Sequence, residues 1–478
     1  MAEAKISILS RNEIELVHQK TLEILEKTGV SALSQKALSM LESGGARVDK
    51  KSMRAWFPER LVKETIDKIP KKINLCARNP KQDMPVPMRG PPYMATNGTA
   101  VHMPDARTGE RRATTGKDLA SFIRLCDALN PLDYVWPIVT AHDAPDATHA
   151  LSELAISLQN TTKHVQGEAM SEMEAKAEVD VAAAIVGGKE ELSKRPIFSV
   201  IQCPICPLEF EKGSVEAVME FARAGIPVVS MSMALCGLTA PVTLAGTIAI
   251  VNAENIASFA ISQMTKPGAP VVYSSESTSP DMKTGEIHYG SLEEVLIASA
   301  AAQMASHYGV PSMVGGFSAG LAGESPGIHL TPAELIFTAM TTMTSTDFAS
   351  GVGGLDQAKG AALEQIIIDC DLWEQVREMR KDVPFDEGRF VTDLIKQVGP
   401  GGTFLKAAHT ARNMRSELFL PTGEKAEIFA AYRLERSQKD IVEQARARAV
   451  RILDSHVPES IDKTVKTKID GILDRYKT

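Results

Sequence analysis

From about residue 117 the apolar positions follow two rhythms in turn. Stretches with helix-like apolar spacing give way to short unbroken apolar runs, and the helical spacing then resumes. Thr115-x-x-Asp118 opens a helix through Leu129, and the apolar run Tyr134–Thr140 follows. A helix then includes His149–Leu158, and Lys163–Glu168 is a candidate strand. Ser171-x-x-Glu174 caps a helix running to about Val186 ahead of Gly187-Gly188, and Ile197–Gln202 is the next strand.

One junction then repeats. Helix 214–224 ends at Gly225-Ile-Pro227 before Val228-Val-Ser-Met231, and helix 252–264 leads to Gly268-Ala-Pro270 before Val271-Val-Tyr-Ser274. Helix 291–307, capped by Ser291-x-x-Glu294, ends at Gly309-Val-Pro311 before Ser312-Met-Val314. The prolines lie 43 and 41 residues apart. Each glycine is suited to a left-handed helix cap. Each proline blocks further helix and opens a strand where no ladder donor is needed. The strands barely alternate, as expected of a parallel sheet covered on both faces. About seven or eight such units fit between residues 117 and 420, which predicts a closed (β/α)8 barrel rather than an open doubly wound sheet.

The flanks read differently. Ser10-Arg-Asn-Glu13 is a capping box ahead of the stripe Ile14, Val17, Leu22 and Leu25, with Gly29 as the stop. Residues 76–116 are rich in Pro, Gly and Arg and read as loops with short strands. We therefore expect residues 1–116 to be an N-terminal elaboration packed on the barrel, 117–437 the barrel, and 438–478 C-terminal helices whose mixed charges form a solvated face.

Composition narrows the function. Lys plus Arg is 52 against 60 Asp plus Glu, a net charge of −8, which argues against nucleic acid as a partner. The polar start has no apolar signal region and no run is read as long enough to span a bilayer, so a cytoplasmic protein without a membrane partner is expected. The apolar barrel and extended terminal helices predict a homo-oligomer. Six cysteines are too few for a disulfide scaffold. Cys203-Pro-Ile-Cys206 has CxxC spacing but no second ligand pair, so it reads as a strand end entering a turn, and no metal site is assigned. Neither GxGxxG nor Walker A is present.

A barrel carries its active site at the C-terminal ends of its strands. That rule selects Gln166, Glu168, Gln202, Met231 to Met233, Tyr273 to Glu276, Phe317 and Ser318. Glu168 and Glu276 are the candidate catalytic carboxylates, able to hold a cation or act as a base; the alternative is a structural salt bridge at the barrel mouth. His329 and His409 lie near loop-rich segments, with a structural role as the alternative. Tyr93, Tyr273, Tyr289, Phe317 and Phe348 fall in predicted loops or at strand ends. Aromatic faces attract quaternary ammonium groups, although packing beneath loops is the plainer reading of each.

Longer motifs carry a resemblance. Thr108-Gly-Glu-Arg-Arg-Ala-Thr-Thr115 with Asp118-Leu119, Pro241-Val-Thr-Leu-Ala-Gly246 with Asn252-Ala-Glu254, and Pro267-Gly268-Ala-Pro270-Val-Val-Tyr273 run in one order with Asp281-Met-Lys-Thr-Gly285 and Gly399-Pro-Gly-Gly402-Thr-Phe-Leu405 plus His409-Thr410. Together, over about residues 70 to 420, they resemble the trimethylamine methyltransferase family. The resemblance implies a TIM barrel and a separate corrinoid protein whose Co(I) accepts the methyl group, with no corrinoid bound permanently by this chain. The founding enzymes carry pyrrolysine at the barrel mouth. This chain has only standard residues, and its corresponding region is about Gly315–Gly327.

That departure has a chemical consequence. A tertiary amine needs its nitrogen activated before it can leave, whereas a quaternary ammonium already leaves as a neutral amine. The resemblance therefore implies the pyrrolysine-free branch, acting on glycine betaine or a related betaine such as proline betaine, carnitine or γ-butyrobetaine. The expected substrate-binding residues are Tyr93, Gln166, Gln202, Tyr273, Phe317 and His329, with Glu168 or Glu276 adding charge. Two other readings stay open: an aldolase- or lyase-type barrel acting on a small acid, and a non-catalytic quaternary-amine binding protein.

Overall fold

The computed structural model describes residues 6–88, 90–105, 108–287, 289–344, 346–377, 386–418 and 438–476. Eight parallel strands form one sheet: β1 (Tyr93–Thr96), β2 (Tyr134–Val135), β3 (His164–Gly167), β4 (Phe198–Gln202), β5 (Val228–Ser232), β6 (Val271–Ser275), β7 (Ser312–Gly316) and β8 (Phe348–Val352). Each pairs with the next from β2 to β8, and β8 pairs with β1. The β1–β2 edge closes through local bonds. The Asp133 N–H donates to the Met94 carbonyl at 2.9 Å, and the Asp133 carboxylate accepts the Met94 N–H at 2.9 Å. The Thr96 hydroxyl donates to the Trp136 carbonyl at 2.6 Å and accepts the Trp136 N–H at 2.9 Å.

Each strand is followed by a helix: α1 (Gly116–Ala128), α2 (His149–Asn160), α3 (Glu172–Val186), α4 (Lys212–Ala224), α5 (Leu244–Thr265), α6 (Leu292–Tyr308), α7 (Pro332–Met343) and α8 (Leu363–Arg377). The chain is thus a closed (β/α)8 TIM barrel. Gly225 and Gly309 cap α4 and α6 in the left-handed region, at φ 78° and 63°. The third junction differs. There α5 stops at Thr265 with Lys266 extended, and Gly268, at φ 82°, sits in the turn with its N–H on Gln263.

The barrel start is corrected. β1 lies inside residues 1–116, so that segment supplies a barrel strand as well as outer layers. It also supplies a hairpin, Ile73–Leu75 with Met84–Val86, whose apolar side chains join the barrel-interior cluster of Tyr134, Ile201, Val229, Met231, Val272, Met313 and Phe348. The interior is therefore a packed plug below the mouth. The helix Arg11–Glu23 packs on α5.

Two further expectations change. α5 is long and apolar enough to cross a membrane, with a hydropathy of 1.4, so the reading that no run is long enough is corrected; 78% of its apolar window is buried within the fold. The C-terminal helices Gln438–Ser455 and Lys463–Tyr476 pack on α8 and α1, and on α3 and α2. Their charges are only partly solvated, because Arg448 pairs at 2.8 Å with the fully buried Asp371.

Candidate functional site

A cavity of about 70 Å³ opens at the C-terminal ends of β6, β7 and β8, beside Asn97 just past β1. Its floor and one wall are Ser275, Glu276, Gly315, Gly316, Phe317 and Ser350, and its outer wall comes from Glu294 and Ala298 of α6 and Glu334, Phe337 and Thr338 of α7. Tyr289 and Leu321 close it from the loops. The geometry follows from the fold, because helix N-termini and strand C-termini face the same end of a (β/α)8 barrel. The strand ends approach closely: a Cβ on Gly316 would come within 2.3 Å of the Ser350 carbonyl oxygen, so glycine is required there.

Three carboxylates border this space. Burial pushes Glu276 up to about 7, opposed by a hydrogen bond from Ser350. Burial also raises Glu294 to about 8, with the N–H of Gly290 opposing and the charge of Glu276 adding. Glu334 is 5% exposed; its Oε2 accepts the Thr331 N–H at 2.6 Å, while its buried Oε1 has no hydrogen-bond partner. Glu294 and Glu334 are both third residues of capped helices, which is what brings them to the mouth. Three rings, Tyr289, Phe317 and Phe337, complete the wall. Phe317 is held at 5.9 Å from Trp373. Among the described residues, no Lys, Arg or His lines the cavity.

One carboxylate works from behind the wall. Asp369 on α8 accepts the N–H groups of Gly353 and Ala319, the Ser318 hydroxyl and the Gln365 amide, at 2.7 to 3.1 Å. Burial raises it to about 7 even so. It pins the loops after β7 and β8, and so fixes the backbone on which Phe317 stands.

The expected residues divide. Glu276 and Phe317 line the cavity. Glu168 lies at the mouth but off the cavity wall; burial, then the charge of Glu174, raises its pKa. Cys203 stands exposed at the same mouth, a free thiol near both Glu276 and Glu168. Gln166 donates to the Met313 sulfur at 3.5 Å inside the barrel, beneath the site.

The others point elsewhere. Gln202 turns outward and accepts the Ser258 hydroxyl of α5 at 3.0 Å. Tyr273, at mid-strand, also turns outward; its hydroxyl donates to Asn252 at 3.0 Å and its ring meets Phe259. Tyr93 begins β1, at the opposite end of the barrel, against Phe348 at 5.8 Å. His329 braces the loop after β7 through the Ser325 carbonyl at 3.0 Å, and His409 lies on the helix Ala408–Glu417. The period-two alternation of a strand explains Tyr273 and Gln202: Val272 and Ile201 point inward, so their neighbours cannot.

The motif residues Asn252 and Glu254 are structural. Asn252 also donates to Thr21 and Tyr308 at 2.8 Å each. Glu254 accepts the Leu208 N–H, the Ser232 hydroxyl and the Cys206 thiol. Cys206 is thereby held in the turn as a free thiol. Glu294, Glu334 and Phe337 escaped sequence reasoning. A Ser-x-x-Glu or Thr-x-x-Glu at the start of a barrel helix reads as a cap alone, yet the same spacing sets a carboxylate at the mouth.

Comparison with known proteins adds ancestry to this geometry. The sequence model of the trimethylamine methyltransferase (MTTB) family matches residues 2–478. A trimethylamine methyltransferase MttB of Desulfitobacterium hafniense is 30% identical over 97% of this chain and 93% of its own length. A glycine betaine methyltransferase from another strain of that species is 30% identical over 98% and 97%. The MttB of Methanosarcina barkeri strain Fusaro is 29% identical over 98% and 95%.

Proposed function

This chain belongs to the trimethylamine methyltransferase family and is a methyltransferase of that family, and from that premise we propose that it transfers a methyl group from a small quaternary amine to Co(I) of a separate corrinoid protein. The observation that carries the reading is the cavity itself: three aromatic rings and three carboxylates around a space of about 70 Å³, with no basic side chain among its described lining residues. Aromatic faces and carboxylates both stabilise a cation, and the apolar walls strip water from its methyl groups.

The chemistry asks little covalent help of the protein. One methyl carbon faces the open mouth, and the acceptor's electron pair forms the new bond to it. The C–N pair stays on nitrogen, which leaves as a neutral tertiary amine. Phe317, Tyr289 and Phe337 fix the ammonium, Glu276 and Glu294 balance its charge, and Asp369 holds the loops in place. Holding the reacting centres in line is the main contribution. Glycine betaine, proline betaine, carnitine, γ-butyrobetaine and simpler quaternary amines are the methyl donors of this chemistry.

The rim supports a docking partner. Met170, Ile205, Leu238, Val242, Met282 and Leu292 are exposed apolar side chains in, or directly after, the loops that follow β3 to β6. A corrinoid protein would cover this face and exclude water. A cytoplasmic location and self-association belong to the same reading. The lyase alternative lacks support at the site: Lys163 is buried, and its ammonium donates to the carbonyls of Cys126, Leu129 and Leu132 at 2.7 Å each.

The test is methyl transfer to cob(I)alamin, followed by absorbance, with trimethylamine and a panel of quaternary amines. Methylcobalamin formed from a quaternary amine and not from trimethylamine is the expected result. Transfer from no compound, with corrinoid protein also supplied, refutes the proposal.

A further inference from the structure

We infer that the cavity selects a quaternary ammonium whose remaining arm is uncharged, and discriminates against the zwitterionic betaines. This rests on the quaternary-amine reading above and narrows it. Every ionisable side chain on the described cavity wall is an acid or a phenol: Glu276, Glu294, Glu334 and Tyr289. Glu334 keeps a buried oxygen, Oε1, without a partner, so the wall already holds an acceptor in need of a cation or a donor.

A betaine brings a carboxylate only one to a few carbons from its nitrogen. The described wall offers it no cation, only neutral donors such as the Tyr289 phenol and the Ser350 hydroxyl. Three of the nearby backbone donors are engaged: the Phe317 N–H on the Ser350 carbonyl, the Tyr289 N–H on Gln357 and the Gly290 N–H on Glu294. Two basic side chains of the adjoining loops are paired with acids. Arg111 meets Glu324 at 3.0 Å and Asp356 at 3.2 Å, and Lys359 lies 3.9 Å from Asp356. The carboxylate of a short arm stays within a few bonds of the ammonium, and so close to the glutamates that line the same space. Like charges at that range repel strongly in a water-poor site.

The experiment is calorimetric binding of tetramethylammonium, choline and glycine betaine to the full chain at pH 8, with no corrinoid present. Tetramethylammonium and choline are expected to bind at least tenfold more tightly than glycine betaine. Glycine betaine binding as tightly as choline, or more tightly, overturns the inference and leaves the quaternary-amine reading intact. Failure of all three, with proline betaine, carnitine and γ-butyrobetaine also failing to bind, overturns both. Glu334→Gln, which retains a capping acceptor, is expected to weaken choline three- to tenfold and to leave betaine unchanged or improved. Equal losses for both ligands overturn the charge argument. Glu276→Gln, which touches no helix cap, serves the same purpose if the first variant melts early.

Discussion

Raising the pH from 6 to 8 should tighten binding of a quaternary ammonium ion about tenfold through Glu276 alone. Burial pushes Glu276 up to about 7 and Glu294 up to about 8, so near pH 6 both are largely protonated. A bound cation favours the ionised forms. At roughly 5 Å and an effective dielectric near 20 the attraction is about 3 kcal/mol, enough to lower a carboxyl by about two pKa units. Binding below pH 7 must therefore release protons, and affinity climbs as the carboxyls ionise with rising pH. Glu294 extends the rise toward pH 8. The groups facing the pair are Ser350, Tyr289, Cys203 and Glu334, and none of them supplies a positive charge that would cancel the effect. Calorimetry in two buffers of different ionisation enthalpy measures the released protons directly. Glu276→Gln should flatten the lower part of the profile. An affinity constant from pH 6 to 8, or proton uptake on binding, would refute the reasoning.

Other consequences are as concrete. Phe317→Ala should weaken cation binding by ~1–2 kcal/mol, read as a five- to thirtyfold rise in the dissociation constant, through loss of the ring face. Tyr93→Phe should leave methyl transfer unchanged, and so should Tyr273→Phe, which instead costs ~1 kcal/mol in thermal stability for its lost bond to Asn252; a large fall in turnover for either would return it to the site. Glu178 is fully buried with neither carboxylate oxygen bonded, so Glu178→Leu should raise stability by ~1–3 kcal/mol in a melting experiment. Leu238→Glu with Val242→Glu should raise the KM for the corrinoid protein several-fold while transfer to free cob(I)alamin stays the same. Equal losses in both assays would argue against docking at that rim.

The alternation of helical and strand-like runs, and the Gly-x-Pro junctions, determine the barrel from the sequence alone. Local physics suffices there: a left-handed glycine ends α4 or α6, and a proline forbids further helix. β1 and β8 stayed hidden. Tyr93–Thr96 sits among Pro- and Gly-rich turns, and Phe348–Val352 contains glycine and serine, so neither shows the apolar density that marks β5 or β6. Their strand character comes from pairing with each other and with β2 and β7, contacts that no short window contains. The site divides in the same way. Position in the chain placed Glu276 and Phe317 at the mouth, because both follow a recognisable strand. Strand alternation in three dimensions turned Tyr273 and Gln202 toward α5. Only the tertiary structure made Glu294 and Glu334 part of the cavity, because a capping glutamate becomes a site residue when its helix N-terminus stands beside the ends of β6 and β7.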